Sequence, residues 1–330
     1  MTSDTSARDP LGPPFWEDFF RGDRVACARL ISTVEDRPDL VPAIRDLLLP
    51  RQKGAVRIGI TGPPGVGKST ITAALARRSL AAGHTVGVIA VDPSSPFTGG
   101  AFLGDRVRMQ GLIGDERVFI RSMASRDGHG GLSPATPYAA EVFDAFGMDR
   151  ILIETVGVGQ AELDVMTCAD LIVLVLQPGT GDVIQALKAG IIEAADLLLA
   201  NKSDLPCAET LLDSLRFLYE IGSRPREVPP VLTASALQDQ GLDEVHAALE
   251  RLVEQHATSG RFRDKRIQRL EADLKASIVQ DLWERFSALT GAPEELRSAA
   301  EEMQENGRSP YPFIRAIGAR VRMEIEDERT

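Results

Sequence analysis

The sequence lacks an excess of basic residues. Its 37 lysines and arginines are outnumbered by 48 aspartates and glutamates, which gives a formal net charge of −11. A nucleic-acid backbone requires a basic stripe on its protein partner, so this balance argues against nucleic-acid binding. The sequence also has no apolar run that approaches the ~20 residues needed to span a bilayer. We therefore expect neither a nucleic-acid partner nor a membrane partner.

Cysteine and histidine are also scarce. The three cysteines, Cys27, Cys168 and Cys207, have no paired spacing, which predicts reduced thiols rather than a disulfide framework. Residues 1–14 have neither the apolar core of a secretory signal nor the arginine-rich, acid-poor composition of a transit peptide. The expected location is therefore the cytoplasm. The four histidines are scattered, so no histidine- or cysteine-rich tract indicates metal delivery.

Short apolar runs alternate with amphipathic stretches from residue 55 onward. The runs are too short for buried helices, and they do not alternate between polar and apolar residues. Strands of this composition are covered on both faces, which is typical of a parallel sheet between helices. The predicted strands are residues 55–60, 85–91, 118–121, 151–153, 171–176, 197–200 and 231–234. We therefore predict an α/β fold with a largely parallel central sheet flanked by helices.

The chain is predicted to divide into three segments. Residues 1–50 form an N-terminal helical extension, residues 51–255 hold the sheet, and residues 256–330 form a C-terminal helical segment. Two short helices are predicted near residues 294–305 and 311–326, after a long helix with an apolar stripe. The stripe is Ile267, Leu270, Leu274, Ile278, Leu282 and Phe286. Such a stripe needs a partner surface; a cap on the sheet and a homodimer both satisfy that need, and we favour the homodimer.

A phosphate-binding loop follows the first predicted strand. Its pattern is G-x-x-x-x-G-K-[ST], and an apolar helical stretch, residues 71–80, comes after it. The loop consists of Gly62, Pro63, Pro64, Gly65, Val66, Gly67, Lys68 and Ser69, followed by Thr70. Glycines let backbone amides face a phosphate, and the helix N-terminus adds its positive dipole end. Lys68 is predicted to bridge the β- and γ-phosphates, and the Ser69 hydroxyl to ligate Mg²⁺.

The sequence Asn201-Lys202-Ser203-Asp204 predicts that the nucleotide is GTP or GDP. In a protein with a phosphate-binding loop, this N-K-x-D pattern at a strand end reads guanine, because the Asp204 carboxylate accepts hydrogen bonds from N1–H and the exocyclic amine. Adenine would leave that carboxylate unsatisfied, at a cost of ~1–3 kcal/mol. A second loop is predicted to meet guanine O6 with a backbone amide. This loop is Ser235, Ala236 and Leu237.

Switch elements are predicted between these motifs, in part within long glycine- and proline-rich loops at residues 92–104 and 126–137. Glu154 follows a strand where a carboxylate would polarise a metal-bound water, and the Gly157 amide would sense the γ-phosphate. Asp92 and Asp105 are predicted to complete the metal environment with Ser69 and Glu154. Val158 occupies the position from which a glutamine orients the attacking water in many GTPases. Slow intrinsic hydrolysis is therefore expected.

A further segment follows the strand at residues 171–176. Two glycines make the loop at residues 177–182 easy to rearrange. We interpret Asp182, Gln185, Lys188 and Glu193 as a third nucleotide-responsive segment that couples to a partner. The alternative is a capped helix with a solvated polar face.

The motifs together resemble the MeaB/ArgK type of GTPase. The matching segments are Gly62–Thr70 (GPPGVGKST), Asp92–Ser95 (DPSS), Gly99–Met109 (GGAFLGDRVRM), Glu154–Glu162 (ETVGVGQAE) and Asn201–Asp204 (NKSD). The resemblance implies a homodimer formed through the C-terminal helices. It also implies a partner, adenosylcobalamin-dependent methylmalonyl-CoA mutase, whose cofactor loading is gated and whose inactivation is limited. Ser203 departs from the usual alanine, at a position whose side chain should not affect base reading.

Two other functions remain open from the sequence. One is a GTPase chaperone for another acyl-CoA mutase or a metalloenzyme. The other is a metabolic kinase, which requires an acceptor pocket and a base within reach of it. No cluster of residues in the sequence indicates such a pocket.

Overall fold

The computed structural model describes residues 11–93, 109–112, 114–125, 132–155, 164–179, 190–206, 208–221, 228–290 and 292–327. The chain forms two compact units, Met1–Lys265 and Arg266–Thr330. The first unit therefore includes both the predicted N-terminal extension and the sheet. The predicted boundary after residue 255 falls inside a helix, ten residues before this division. The three-segment organisation stays a prediction.

A seven-stranded sheet forms the centre of the first unit. Its strands are β1 (Val56–Thr61), β2 (Val86–Pro93), β3 (Val118–Ser125), β4 (Arg150–Glu154), β5 (Leu171–Leu176), β6 (Leu197–Asn201) and β7 (Val231–Ala234). Their order is β3-β2-β4-β1-β5-β6-β7, and every neighbouring pair is parallel. All residues of β1, β4, β5 and β6 are buried. The predicted α/β class, with a parallel sheet covered on both faces, is confirmed.

Helices cover both faces of the sheet. In the first unit they are α1 (Pro13–Arg21), α2 (Arg24–Asp36), α3 (Val41–Leu48), α4 (Lys68–Ala81), α5 (Thr136–Phe146), α6 (Ala208–Ile221) and α7 (Leu242–Thr258). One apolar core joins α1, α2, α3 and α5 to the sheet. The other large core joins α4 and α7 to the sheet, and a smaller core packs α6 against β5 and β6. The strands β1, β4, β5 and β6 thus have no solvent-facing side, which explains their largely apolar sequences, whereas the edge strands β3 and β7 are partly exposed.

The N-terminal helices pack directly on the first unit. Phe19 and Leu30 are fully buried, in the same apolar core as Phe143 of α5. Helix α2 begins at a true cap, because the Asp23 carboxylate accepts a 2.7 Å hydrogen bond from the Ala26 amide. Most large apolar residues between positions 15 and 34 are therefore core positions, with Phe20 (37% exposed) and Val25 (76% exposed) as exceptions.

The second unit is helical. It contains most of α8 (Arg261–Thr290), which begins in the first unit, followed by α9 (Ala292–Asn306) and α10 (Tyr311–Asp327). The last two helices lie within two residues of their predicted bounds. The predicted stripe on α8 is largely exposed: Leu274 is 56% and Ile278 57% accessible, whereas Phe286 is buried. No helix among the described residues is long and apolar enough to cross a membrane.

Candidate functional site

The phosphate-binding loop lies at the carboxyl edge of the sheet, between the end of β1 and the start of α4. Two of its glycines are required by their surroundings. A Cβ atom on Gly62 (φ 142°) would lie 2.0 Å from the carbonyl oxygen of Val175, and one on Gly67 (φ 97°) would lie 2.5 Å from Asn201 Nδ2. Side chains at either position would therefore push the loop away from the neighbouring strands. The loop backbone is held close to β5 and β6 because these two residues have no side chain.

Lys68 and Ser69 begin helix α4, and both are buried. Lys68 Nζ donates hydrogen bonds to the carbonyl oxygens of Gly62 (2.8 Å) and Pro63 (2.9 Å). The ammonium group therefore lies against the backbone of the phosphate-binding loop. The Ser69 hydroxyl donates a 2.5 Å hydrogen bond to Glu154 Oε1. This contact joins the start of α4 to the end of β4, although the two residues are 85 positions apart in the sequence.

The donor set at this contact fits Mg²⁺. A serine hydroxyl and a carboxylate are hard oxygen ligands, and Mg²⁺ takes one or two protein oxygens together with waters and substrate phosphates. Among the described residues, no group of three or more histidine, cysteine, aspartate or glutamate side chains could cage a metal ion. A pair consisting of one hydroxyl and one carboxylate therefore suits a cation that completes its coordination with waters and a phosphate-bearing ligand.

Asn201 ties the phosphate-binding loop to the predicted base-reading loop. Its Nδ2 donates a 2.7 Å hydrogen bond to the carbonyl of Val66, and its Oδ1 accepts a 3.0 Å hydrogen bond from the Ala236 amide. A third link joins the two base-reading segments, since the Ser203 amide donates to the carbonyl of Ala234 at 3.0 Å. Lys202 has a left-handed backbone conformation (φ 59°) at the end of β6. The tight turn brings the following residues, including Asp204, over the edge of the sheet.

One cavity of about 680 Å³ collects most of the predicted ligand-binding residues. Its lining includes Pro64, Gly65, Gly67, Lys68, Ser69, Thr70, Glu154, Asn201, Lys202, Asp204, Ser235, Ala236 and Leu237. The lining thus combines residues of the phosphate-binding loop with residues of both predicted base-reading segments, as a nucleotide site requires. Gly62, Pro63 and Val66 do not line the cavity, but their carbonyl oxygens hold Lys68 and Asn201 in place. A cavity of this volume is in the range of small-molecule sites.

Three residues of the lining were not singled out from the sequence: Val91, Leu205 and Thr155. Thr155 is buried, and its hydroxyl donates to the Thr61 hydroxyl at 3.2 Å. Its amide donates to the carbonyl of Ile60, so β1 and β4 remain joined up to the edge of the site. Thr155 follows directly on Glu154, and this adjacency was the sequence signal that could have identified it.

Several predicted residues lie outside the described part of the chain: Asp105, Gly157, Asp182, Gln185 and Lys188. The backbone of Asp92 is described and forms the penultimate position of β2, at the same edge of the sheet as the cavity. Glu193 is exposed in a 3₁₀ turn, Ile191–Glu193, that precedes β6. Glu193 therefore lies toward the amino edge of the sheet, away from the cavity. Its role in partner coupling stays a prediction.

Known proteins resemble this chain over most of its length. A family model described as methylmalonyl Co-A mutase-associated GTPase MeaB matches residues 27–291. A putative GTPase of Pyrococcus abyssi is 44% identical over 262 residues, which cover 78% of this chain and 81% of that protein. GTPase ArgK of Escherichia coli is 32% identical over 321 residues, covering 93% and 96%. The crystal structure of an LAO/AO transport system kinase superposes with a TM-score of 0.70 at 26% identity, covering 98% and 99%.

Proposed function

The chain belongs to the family of methylmalonyl-CoA mutase-associated GTPases, and from this premise we propose a specific role for it. It binds GTP and GDP with Mg²⁺, hydrolyses GTP slowly, and uses the nucleotide state to gate the loading of adenosylcobalamin into methylmalonyl-CoA mutase. It also protects that mutase from inactivation. The observation that carries the nucleotide part is the convergence of the phosphate-binding loop and the Asn201–Asp204 segment on one cavity.

The phosphate end of the nucleotide lies against the start of α4. Backbone amides of the loop point toward the β-phosphate, and the N-terminus of α4 contributes its positive dipole end. Lys68 then exchanges its hydrogen bonds with the carbonyl oxygens of Gly62 and Pro63 for contacts with β- and γ-phosphate oxygens. Because Lys68 is buried, its charge acts in a poorly screened environment, where its attraction for phosphate is strongest.

Ser69 and Glu154 would hold Mg²⁺, with Asp92 and Asp105 completing its surroundings. When bound, the ion neutralises charge on the β- and γ-phosphates. The Glu154 carboxylate would polarise a water bound to the metal, and the Gly157 amide would sense the γ-phosphate. Val158 cannot orient a water, so hydrolysis without a partner is slow. A partner that orders this loop would increase the rate.

The base end of the nucleotide lies between Lys202, Asp204 and the loop of Ser235, Ala236 and Leu237. Asp204 accepts from guanine N1–H and the exocyclic amine, and the amide of this second loop donates to O6. Asn201 holds the loop at the correct distance from the phosphates through its two hydrogen bonds. Adenine would leave Asp204 without donors, so discrimination against ATP follows from this geometry.

The second unit supports the proposed homodimer. Its long helix exposes much of an apolar stripe, since Ile267, Leu270, Leu274 and Trp283 are each between 45% and 56% exposed. A cavity of about 490 Å³ between its helices is lined almost entirely by apolar side chains, including Leu282, Met303 and Phe313. Contiguous apolar surfaces of this kind mark interaction sites. A second copy of the chain supplies a matching surface without requiring another protein.

The segment with Asp182, Gln185, Lys188 and Glu193 is proposed to relay the nucleotide state to the mutase. The alternative client is another acyl-CoA mutase or a metalloenzyme. We propose that the protein acts in the cytoplasm, because its proposed partner is a metabolic enzyme.

The test measures phosphate release from GTP and from ATP by the full chain, with and without adenosylcobalamin-dependent methylmalonyl-CoA mutase. We expect slow release from GTP alone, faster release with the mutase, and nucleotide-dependent transfer of adenosylcobalamin. A Lys68→Ala variant should release no phosphate above background, which controls for contaminating GTPases. A phosphorylated small-molecule product would instead indicate a kinase, and a mutase that neither binds nor changes the rate would direct attention to another client.

A further inference from the structure

A second groove lies on the first unit, remote from the nucleotide cavity. It has a volume of about 710 Å³ and is formed where α1 and α3 meet the end of α5. Its apolar wall includes Trp16, Phe20, Leu47 and Phe146, and its charged rim consists of Glu17, Arg51 and Lys53. Lys53 precedes β1, whereas the phosphate-binding loop follows it. The groove is therefore at the amino edge of the sheet, separated from the nucleotide by the length of β1, about 20 Å.

Arg51 is held over the apolar wall of this groove. Its guanidinium carbon lies 4.5 Å from the centroid of the Phe20 ring, and its Nη1 donates a 2.9 Å hydrogen bond to the carbonyl of Leu47. Phe20 is itself 37% exposed and stacks on Trp16 at a centroid distance of 5.9 Å. These partners are neutral, so they orient the guanidinium without compensating its charge.

The backbone of Lys53 is also held in place. Asp144 fixes the backbone at this point, because its Oδ1 accepts hydrogen bonds from the amides of Lys53 (2.8 Å) and Gly54 (2.9 Å). The Lys53 ammonium lies directly against Gly147, where an added Cβ would be 2.5 Å from Nζ. Gly147 also has φ 109°, so the position favours glycine on two grounds. Within the described part of the chain, Arg51 and Lys53 form no ion pair with an acidic side chain.

Arg51 and Lys53, which form no ion pair among the described residues, lie beside the exposed ring of Phe20 with a single carboxylate, Glu17, on the same rim; this excess of positive charge is unusual on a chain with a net charge of −11. Binding is favoured where charges are already positioned, because little conformational entropy is lost when the partner arrives. Arginine and aromatic residues are also the groups that dominate the energetics of protein interfaces. A purely ionic ligand would leave the apolar wall in contact with water, and a purely apolar ligand would leave the two cations without partners. The groove therefore fits a ligand that has both acidic and apolar groups.

We propose that this groove is a docking site for an acidic peptide segment of the mutase, one that carries an apolar side chain next to its carboxylates. The carboxylates pair with Arg51 and Lys53, and the apolar side chain covers Phe20. This proposal rests on the proposed function for the identity of the partner. It adds a contact surface at the sheet edge opposite the nucleotide, so docking and nucleotide binding are separable by mutation.

The experiment is a calorimetric titration of full-length methylmalonyl-CoA mutase into the full chain bound to GDP, at low and at high salt. We expect Arg51→Glu and Lys53→Glu each to raise Kd about tenfold or more at low salt, with a smaller difference at high salt. Lys53→Arg, which keeps the charge, should retain most of the affinity. Arg77→Glu is the matched control, because it makes the same charge change on an exposed residue of α4. Affinity for GDP should equal that of the parent in all four variants.

Zero-length carbodiimide cross-linking tests the acidic character of the partner segment. We expect a cross-link from the Lys53 amine to an aspartate or glutamate of the mutase, identified by mass spectrometry. If the parent binds the mutase and both charge reversals bind equally well, the docking proposal is wrong while the proposed function stands. If the parent does not bind the mutase, the docking proposal and the assignment of the mutase as the client are both wrong. If the charge reversals instead convert a dimeric parent into monomers, the occupant is a second copy of this chain, which overturns the assignment to the mutase.

Discussion

The side-chain amide of Asn201 donates a 2.7 Å hydrogen bond to the carbonyl of Val66, across 135 residues of sequence. The same side chain accepts from the Ala236 amide at 3.0 Å. The phosphate-binding loop and the loop proposed to meet guanine O6 are thus joined through one buried residue. We propose that Asn201 thereby sets the distance between the two loops.

We expect Asn201→Ala to weaken GDP binding by about tenfold or more, because both loops lose their common anchor. The unfolding free energy should fall by about 1–3 kcal/mol, since the Val66 carbonyl and the Ala236 amide lose a buried partner. Fluorescent-GDP titration and urea denaturation measure the two effects. Asn201→Asp is the matched variant, because it can still accept from Ala236 but cannot donate to Val66. Parent-like GDP affinity in both variants would contradict the anchoring role.

Asp204→Asn should shift nucleotide preference from GTP toward xanthosine triphosphate. The 2-oxo group of xanthine replaces the exocyclic amine of guanine with an acceptor, and the new amide can donate to it. Asp204 is exposed on the cavity rim, so the substitution should leave the unfolding free energy within about 0.5 kcal/mol of the parent. Competitive calorimetry with both nucleotides is the measurement. An unchanged affinity for GTP would remove Asp204 as the base reader.

Truncation after Lys265 should give a monomer that binds GDP as the parent does. Lys265 belongs to the first unit, where its Nζ lies 2.8 Å from Asp196 Oδ2 and donates to the carbonyl of Asp170 at 2.7 Å. Truncation after Thr258 is the comparison, because it also removes this contact and the buried Phe262. The shorter protein should unfold at a lower temperature. Sedimentation of the Lys265 truncation as a dimer would refute dimerisation through the C-terminal helices.

Cys27 should resist alkylation until the first unit unfolds. Burial on α2 raises the pKa of its thiol to about 12, so the reactive thiolate is nearly absent at neutral pH. Iodoacetamide labelling followed by peptide mapping, with and without urea, gives the test. Modification should appear only across the unfolding transition of the sheet. Labelling of Cys27 in the native protein at the rate of a free thiol would mean that the N-terminal helices detach independently.

The sequence was a reliable guide to local structure. The predicted strand at residues 171–176 coincides with β5, and the one at 231–234 coincides with β7. This agreement has a physical cause: a parallel strand buried on both faces must be continuously apolar, and the bordering residues must be polar or turn-forming. The two short C-terminal helices were similarly well bounded, with Pro293 and Pro310 near their starts. Proline is tolerated in the first turn of a helix, so these boundaries were also encoded locally.

Prediction of the candidate site was less complete. The phosphate-binding loop and Asn201–Asp204 were recognised because their chemistry requires particular residues at fixed spacing. Thr155 was not singled out, since a buried threonine that bonds to another threonine leaves no local pattern. Glu193, the predicted partner of Lys188, lies in the 3₁₀ turn that precedes β6, and its coupling role stays a prediction because residues 180–189 lie outside the described part of the chain. Sequence proximity does not reveal which end of a strand a residue will occupy.

The sequence by itself determined the α/β class, the strand positions, the phosphate-binding loop and the guanine-type motif, because each depends on the composition and spacing of a few consecutive residues. Only the tertiary structure decided the strand order, the meeting of Ser69 with Glu154, and the link from Asn201 to Val66 and Ala236. These relations depend on which buried surfaces pack together across 35 to 135 residues of chain. The groove beside Arg51 and Lys53 also depends on tertiary structure. Its apolar wall forms only when α1, α3 and α5 pack next to these two residues.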